Sequence, residues 1–315
     1  ISSFAYVLII SRRNRCGISR FSSGNPVRSV VVSSLKSLSL SLLFMNQTVT
    51  ITFAESVENH AGMQIIGKSE NNGFSADELR SFYKVLQNEK KTELYQMSDI
   101  SPINLLVEDA VLLVVRDGIS NADEALEEQK NLELDKQAFM KGRVVNKKAR
   151  YNLRFADFHQ EPNYEEKMGR VYDFKELKEM SSIRNQIGSM FGEKAKALMA
   201  EGNYYYDTSK CYISWHGDTE RSIVIGVRLG SPFPLSYHWY HQYEPIGDVM
   251  SLMLNHGDIY VMSKKAVGND WKKSSIPTLR HSAGLLTLKE MKMKSRSERE
   301  EKKKEKEILG KRKFE

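Results

Sequence analysis

The stretch Trp215-His216-Gly217-Asp218 sets two metal-ligating side chains at close spacing. Two imidazoles and one carboxylate on one face of an ion leave the remaining positions open for oxygen and a second ligand, the arrangement of mononuclear ferrous oxygenases. A His-x-Asp step at the end of a strand serves this purpose because alternate strand residues point the same way. The triplet alone is weak, since a His and an Asp in a surface turn give the same letters. Its context adds weight: strand-like Cys211–Trp215 precedes it, apolar Ile223–Leu229 follows, and His281 lies further on in strand-like Pro277–Ser282. His256 competes as third ligand, but it precedes Gly257-Asp258 in a turn-like position. His238 and His241 flank Trp239-Tyr240 without a carboxylate at useful spacing, and read as core or rim residues.

The elements that must position these residues follow from periodicity. Ser75-Ala76-Asp77-Glu78 is a capping box, and Leu79, Phe82, Tyr83 and Leu86 recur at helical spacing, so 76–90 reads as an amphipathic helix. Ala110–Arg116 is an apolar run ended by Asp117-Gly118, a buried strand and turn. Ala122–Gln129 reads as a short acidic helix, and Ser189–Glu201 as a helix with Gly202 just past its end. Gln47–Phe53 and the basic, aromatic stretch Gly142–Phe158 have strand character. From Asn203 onward the pieces are short and β-like: Tyr204–Tyr206, Cys211–Trp215, Ile223–Leu229, Leu235–His241, Val249–Leu254, Ile259–Met262 and Pro277–Ser282. Helices first and strands later give an α+β class, a jelly roll with flanking N-terminal helices.

Several of these motifs occur together in an order that resembles the AlkB-like dioxygenases. Asn203-Tyr204-Tyr205-Tyr206-Asp207 leads into Trp215-His216-Gly217-Asp218-Thr219-Glu220-Arg221 and then Ile223–Leu229. Asn255-His256-Gly257-Asp258-Ile259-Tyr260-Val261-Met262 and Asp270-Trp271 complete the series, so the resemblance spans about 203–284. It implies a double-stranded β-helix, Fe(II) and 2-oxoglutarate. His216 and Asp218 match the family's iron ligands, and Asn203 and Tyr205 match its cosubstrate-contacting Asn-x-Tyr. The family's distal histidine position holds Lys272 or Lys273 here, and His281 is the next histidine. The family also ends in two arginines, the first clamping the 2-oxoglutarate carboxylate. No arginine follows His281 until Arg296, which leaves Arg280, Lys289 and Arg228 as candidate anchors.

Composition divides the chain of 315 residues into three parts. Residues 1–44 are Ser- and Arg-rich without acids, and read as a non-core leader, either a transit peptide or translated sequence upstream of Met45. Residues 45–288 are the expected dioxygenase domain, with a helical and lid part at 45–202 and a jelly-roll core at 203–288. Residues 289–315 form a charged tail with 12 bases and 7 acids, whose lysine runs could serve as a nuclear address. The net charge of +7 belongs to the ends, because 55–288 holds 29 bases against 33 acids. Two cysteines exclude a disulfide framework, and no apolar run approaches the roughly 18 residues of a membrane span. The expected location is intracellular: cytoplasm or nucleus, or the mitochondrion if 1–44 is a transit peptide.

The leading expectation is an Fe(II)- and 2-oxoglutarate-dependent oxygenase that hydroxylates or demethylates a substrate, with an alkylated or single-stranded nucleic acid as candidate partner. Arg143, Arg150, Tyr151, Arg154 and Trp215 are its candidate substrate residues, cations for phosphates and rings for a base. A protein or small-molecule hydroxylase of the same chemistry is the first alternative. A metal-free jelly roll acting as a binding module is the second.

Overall fold

The computed structural model describes residues 46–103 and 105–284. The leader 1–44, the tail 289–315 and Lys289 lie outside the described residues. Sixteen strands lie among the described residues. In chain order they are β1 (Thr48–Ala54), β2 (Ser56–Glu58), β3 (Ile65–Gly67), β4 (Thr92–Gln96), β5 (Val111–Val115), β6 (Gln137–Met140), β7 (Arg143–Asn146) and β8 (Tyr151–Ala156). These are followed by β9 (Val171–Asp173), β10 (Met199–Tyr205), β11 (Ile213–His216), β12 (Val224–Gly230), β13 (Phe233–His241), β14 (Glu244–Leu254), β15 (Ile259–Met262) and β16 (Thr278–Ala283).

Eight strands form one large mixed sheet in the order β4-β5-β15-β12-β1-β10-β8-β9, and four form a smaller one, β11-β16-β13-β14. The β8–β9 pair is the parallel element that makes the large sheet mixed. Alternation along its strands decides what each face carries. In β1, Val49, Ile51 and Phe53 enter the core packed with helices, while Thr50 and Thr52 line a cavity on the other face. In β12, Ile225, Val227 and Leu229 join the same core, while Val224 and Arg228 face the cavity. The helices Ala76–Leu86, Ala122–Lys130 and Lys178–Phe191 cover the first face, through residues such as Leu79, Ala125 and Ile183. Leu235, Tyr237, Trp239 and Leu279 of the small sheet pack against Val114, Val224, Tyr260 and Met262 on the second.

The capping box at Ser75 forms as expected: Ser75 Oγ accepts from Glu78 N, and Glu78 returns a bond to Ser75 N. One helix differs from expectation. The helix is Lys178–Phe191, ended by Gly192 at φ 75°, and 199–205 is strand β10. Gly202 therefore sits within a strand, where a Cβ would meet the Tyr204 ring at 2.7 Å. Burial on both sides overrode the helical propensity of Ala195–Glu201. The division at residue 203 also differs, because β1, β5 and β8, all N-terminal to it, belong to the same sheet as β10, β12 and β15. No helix among the described residues is long and apolar enough to cross a membrane.

Strand β1 holds the centre of the large sheet, paired to β10 on one side and β12 on the other. Phe53 is wholly buried there. Phe53→Ala is expected to lower unfolding stability by about 3–5 kcal/mol in urea denaturation; a loss below about 1 kcal/mol would contradict the central position of β1.

Candidate metal centre

His216 ends β11 and His281 lies in β16, and the two are direct cross-strand partners. Their ring centroids are 4.4 Å apart. Asp218 stands two residues past His216, on the same side, and its Oδ1 lies 3.5 Å from His216 Nε2 and 3.8 Å from His281 Nε2. One ligand atom from each of the three falls within 4.8 Å of the others. Two imidazoles and a carboxylate so grouped would suit one divalent ion.

The surroundings orient these ligands. His216 Nδ1 lies 2.8 Å from the Ser214 carbonyl, so it carries the proton and leaves Nε2 free for an ion. His281 is buried, and burial first, then His216 and Arg221, drive its pKa well below the usual value, so it is neutral as a ligand must be. Asp218 is held by its backbone, with its N–H bonded to the Val267 carbonyl at 3.0 Å and its carbonyl accepting from Asn269 Nδ2 at 2.6 Å. Arg221 Nε stands 3.6 Å from Asp218 Oδ2, while its Nη2 pairs with Glu201 at 2.7 Å and Glu220 at 2.6 Å. Burial opposes the charge of Arg221, but Asp218, Glu201 and Glu220 more than offset it.

The loop that carries Asp218 depends on two glycines. A Cβ on Gly217 would lie 2.1 Å from the Gly268 carbonyl oxygen, and Gly268 itself has φ 76°. Residues 264–267 form a short helix whose end is thereby pressed against the metal loop.

A cavity of about 280 Å³ opens beside the three ligands, lined by both sheets. Arg228 lies on its wall, 1% exposed. It donates to Thr50 Oγ1 at 2.5 Å, its Nε has no partner, and its guanidinium is 5.2 Å from the Phe233 ring. Burial pulls its pKa down, against the opposing influence of Tyr205, Tyr260 and Asp258. Tyr260 lines the same wall, its hydroxyl pushed up to about 12 chiefly by burial.

The other expected site residues fall into distinct places. Asn203 and Tyr205 line the cavity, but Asn203 Oδ1 already accepts from Arg150 (2.6 Å) and Asn152 (2.7 Å). Arg280 neighbours His281 and so faces outward, stacked 3.9 Å from the Tyr240 ring centroid. Of the five candidate substrate residues, Arg150 alone lines the cavity. Arg143 is exposed in the β6–β7 hairpin, and Tyr151 packs on Tyr206. Trp215, alternating with His216, lies beside His238 and Tyr240 on the outer face. Arg154 is fully buried and ties down the carbonyls of Gln64 and Gly169. His256 accepts from Gly230 N and stands outside the ligand group. Sequence reasoning missed Arg221, Thr50, Tyr260 and the carboxylates Glu58 and Glu220 on the cavity wall; Arg221, three residues after Asp218, was the one within reach.

No family model matches the chain. It is 47% identical over 246 residues to an uncharacterized protein of Acanthamoeba polyphaga mimivirus, a match covering 76% of this chain and 96% of the viral protein. The chain belongs to the same family as that viral protein.

Gly217→Ala is expected to abolish divalent-metal binding, read by calorimetry, because the loop cannot hold its approach to Gly268; undiminished binding would contradict that contact. Lys147, bonded to Asn59, is brought down from 10.5 to about 7, chiefly by burial. The unfolded chain then binds one more proton than the folded one between those values, so this group makes stability rise with pH across that window. Lys147→Met should flatten the rise in urea midpoint between pH 7 and 10, and an unchanged slope would show the lysine charged when folded.

Proposed function

We propose that this chain is an Fe(II)- and 2-oxoglutarate-dependent oxygenase of AlkB-like type, built on a double-stranded β-helix. The observation that carries the reading is one cavity holding His216, Asp218 and His281 together with a buried arginine, Arg228, that has no carboxylate in hydrogen-bonding contact among the described residues. The sheet orders β10-β1-β12-β15 and β11-β16-β13-β14, with the cavity between them, support the jelly-roll assignment. In the resembling family the anchoring arginine follows the distal histidine. Here β1 fills the slot between β10 and β12, its cavity-facing residues are threonines, and the cation comes from β12.

The donor set fits a ferrous ion, which with 2-oxoglutarate and dioxygen supplies the oxidation of a C–H bond to C–OH, yielding succinate and carbon dioxide. This chain's residues do the rest. His216 and His281 present imidazole nitrogens, and Arg221 and Asn269 hold Asp218 in place. Arg228 and Thr50 offer a charged fork and a hydroxyl to the distal carboxylate of the cosubstrate, where burial strengthens the pairing. Tyr260, holding its proton through neutral pH, can donate to the same group.

For the substrate, Arg150 and Lys272 on the cavity wall suit a phosphate-bearing target such as an N-alkylated base, whose hydroxylated methyl group leaves as formaldehyde. Glu58 and Glu220 on the same wall favour the second reading, a hydroxylase of a protein or small molecule carrying positive charge.

Calorimetry of the Mn(II)-loaded protein with 2-oxoglutarate tests the assignment. Arg228→Met should keep metal binding and weaken 2-oxoglutarate at least about tenfold, the loss of a charge-assisted pair. Undiminished affinity for 2-oxoglutarate would overturn the anchor. Formaldehyde release from N-methylated single-stranded oligonucleotides then separates the two substrate readings.

A further inference from the structure

A second cavity, of about 240 Å³, opens at the β1–β10 end of the large sheet beneath the helix Ala122–Lys130. It shares Tyr205 with the metal cavity but contains none of the three metal ligands. Its volume lies below the roughly 300–1,000 Å³ of pockets for drug-sized molecules, so its occupant is small.

Three features describe that occupant. The walls include Leu126, Tyr204 and a stacked pair, Tyr151 and Tyr206, with ring centroids 5.0 Å apart. Tyr206 is 37% exposed, so the pair meets solvent and can take a further ring. Gln129 is 1% exposed; its Oε1 accepts from the Tyr204 hydroxyl at 2.5 Å, and its Nε2 is buried with no partner among the described residues. A buried amide donor left unpaired is costly, and a ligand carrying an acceptor would recover that cost. At the rim, the Lys136 ammonium stands 5.6 Å from the Tyr151 ring centroid, where it can meet an anion. A flat ring to stack, an acceptor on its edge and a negative charge beside it describe a nucleotide.

We propose that this cavity binds the base of a nucleotide, stacked on the exposed Tyr206 ring, hydrogen-bonded through Gln129, with its phosphate against Lys136. Binding here requires neither the three metal ligands nor the reaction proposed at them.

The test is calorimetric titration of the full chain with 5′-CMP, cytidine and benzoate. The proposal expects 5′-CMP to bind with one-to-one stoichiometry and more tightly than cytidine. Tyr206→Ala, checked for an unchanged melting temperature, should weaken 5′-CMP about fivefold or more. Lys136→Ala should remove its advantage over cytidine, and His216→Ala should leave binding intact. Absence of binding at millimolar 5′-CMP would overturn the proposal, as would equal affinity in Tyr206→Ala. Loss of binding in His216→Ala would place the nucleotide in the metal cavity instead. Benzoate binding as tightly as 5′-CMP would show a site for any aromatic anion, which also overturns it.

Discussion

Arg221 is the residue on which the rest of the centre depends. Its side chain is buried, yet it meets Glu201 from the large sheet, Glu220 beside it and Asp218 in the metal loop. Four charges removed from water are costly unless each is paired and hydrogen-bonded, and removing one partner strands the others. The network therefore does more than neutralise Asp218. It fixes the metal loop to β10, and so to β1 and β12, through which the position of Arg228 is set. Asp218 and the cavity cation Arg228 share one frame for this reason.

Placement of the polar residues follows from strand alternation. Thr-Val-Thr-Ile-Thr-Phe in β1 sends its apolar members toward the helices and Thr50 and Thr52 toward the cavity. The same step in β12 turns Arg228 inward between Val227 and Leu229. A sheet with one face sealed by helices and the other opposed by a second sheet has room for buried polar chemistry only where the two sheets part. The cavity holding His216, His281 and Arg228 is such a place.

Much of this was legible in the sequence. The capping box at Ser75, the apolar run 111–115 and the strands from 204 onward carry strong local signals, and the structure has them. His216, Asp218 and His281 were legible as well, because a His-x-Asp step and a histidine in a later strand are local patterns. Strand pairing was not. Nothing in the residues 48–54 states that they lie between β10 and β12, since pairing at that separation depends on the whole sheet. For that reason the sequence could not say that Arg228 lines the cavity while Arg280 does not. The start of β10 was misread for a related reason: residues 199–201 continue the Ala- and Leu-containing stretch 195–198, which has no period that separates helix from strand. Within the basic segment 143–154 the reverse holds for one residue. Arg154 carries the sign of a phosphate contact but is spent on backbone carbonyls inside the protein.

The central claim is that His216, Asp218 and His281 together hold one divalent ion. The direct measurement is anaerobic calorimetry of Fe(II) with the wild-type protein, His281→Ala and His256→Ala. The account predicts one ion per chain, bound equally well by wild type and His256→Ala, with binding lost or weakened at least about tenfold in His281→Ala. Equal binding by all three proteins, or loss confined to His256→Ala, would contradict it.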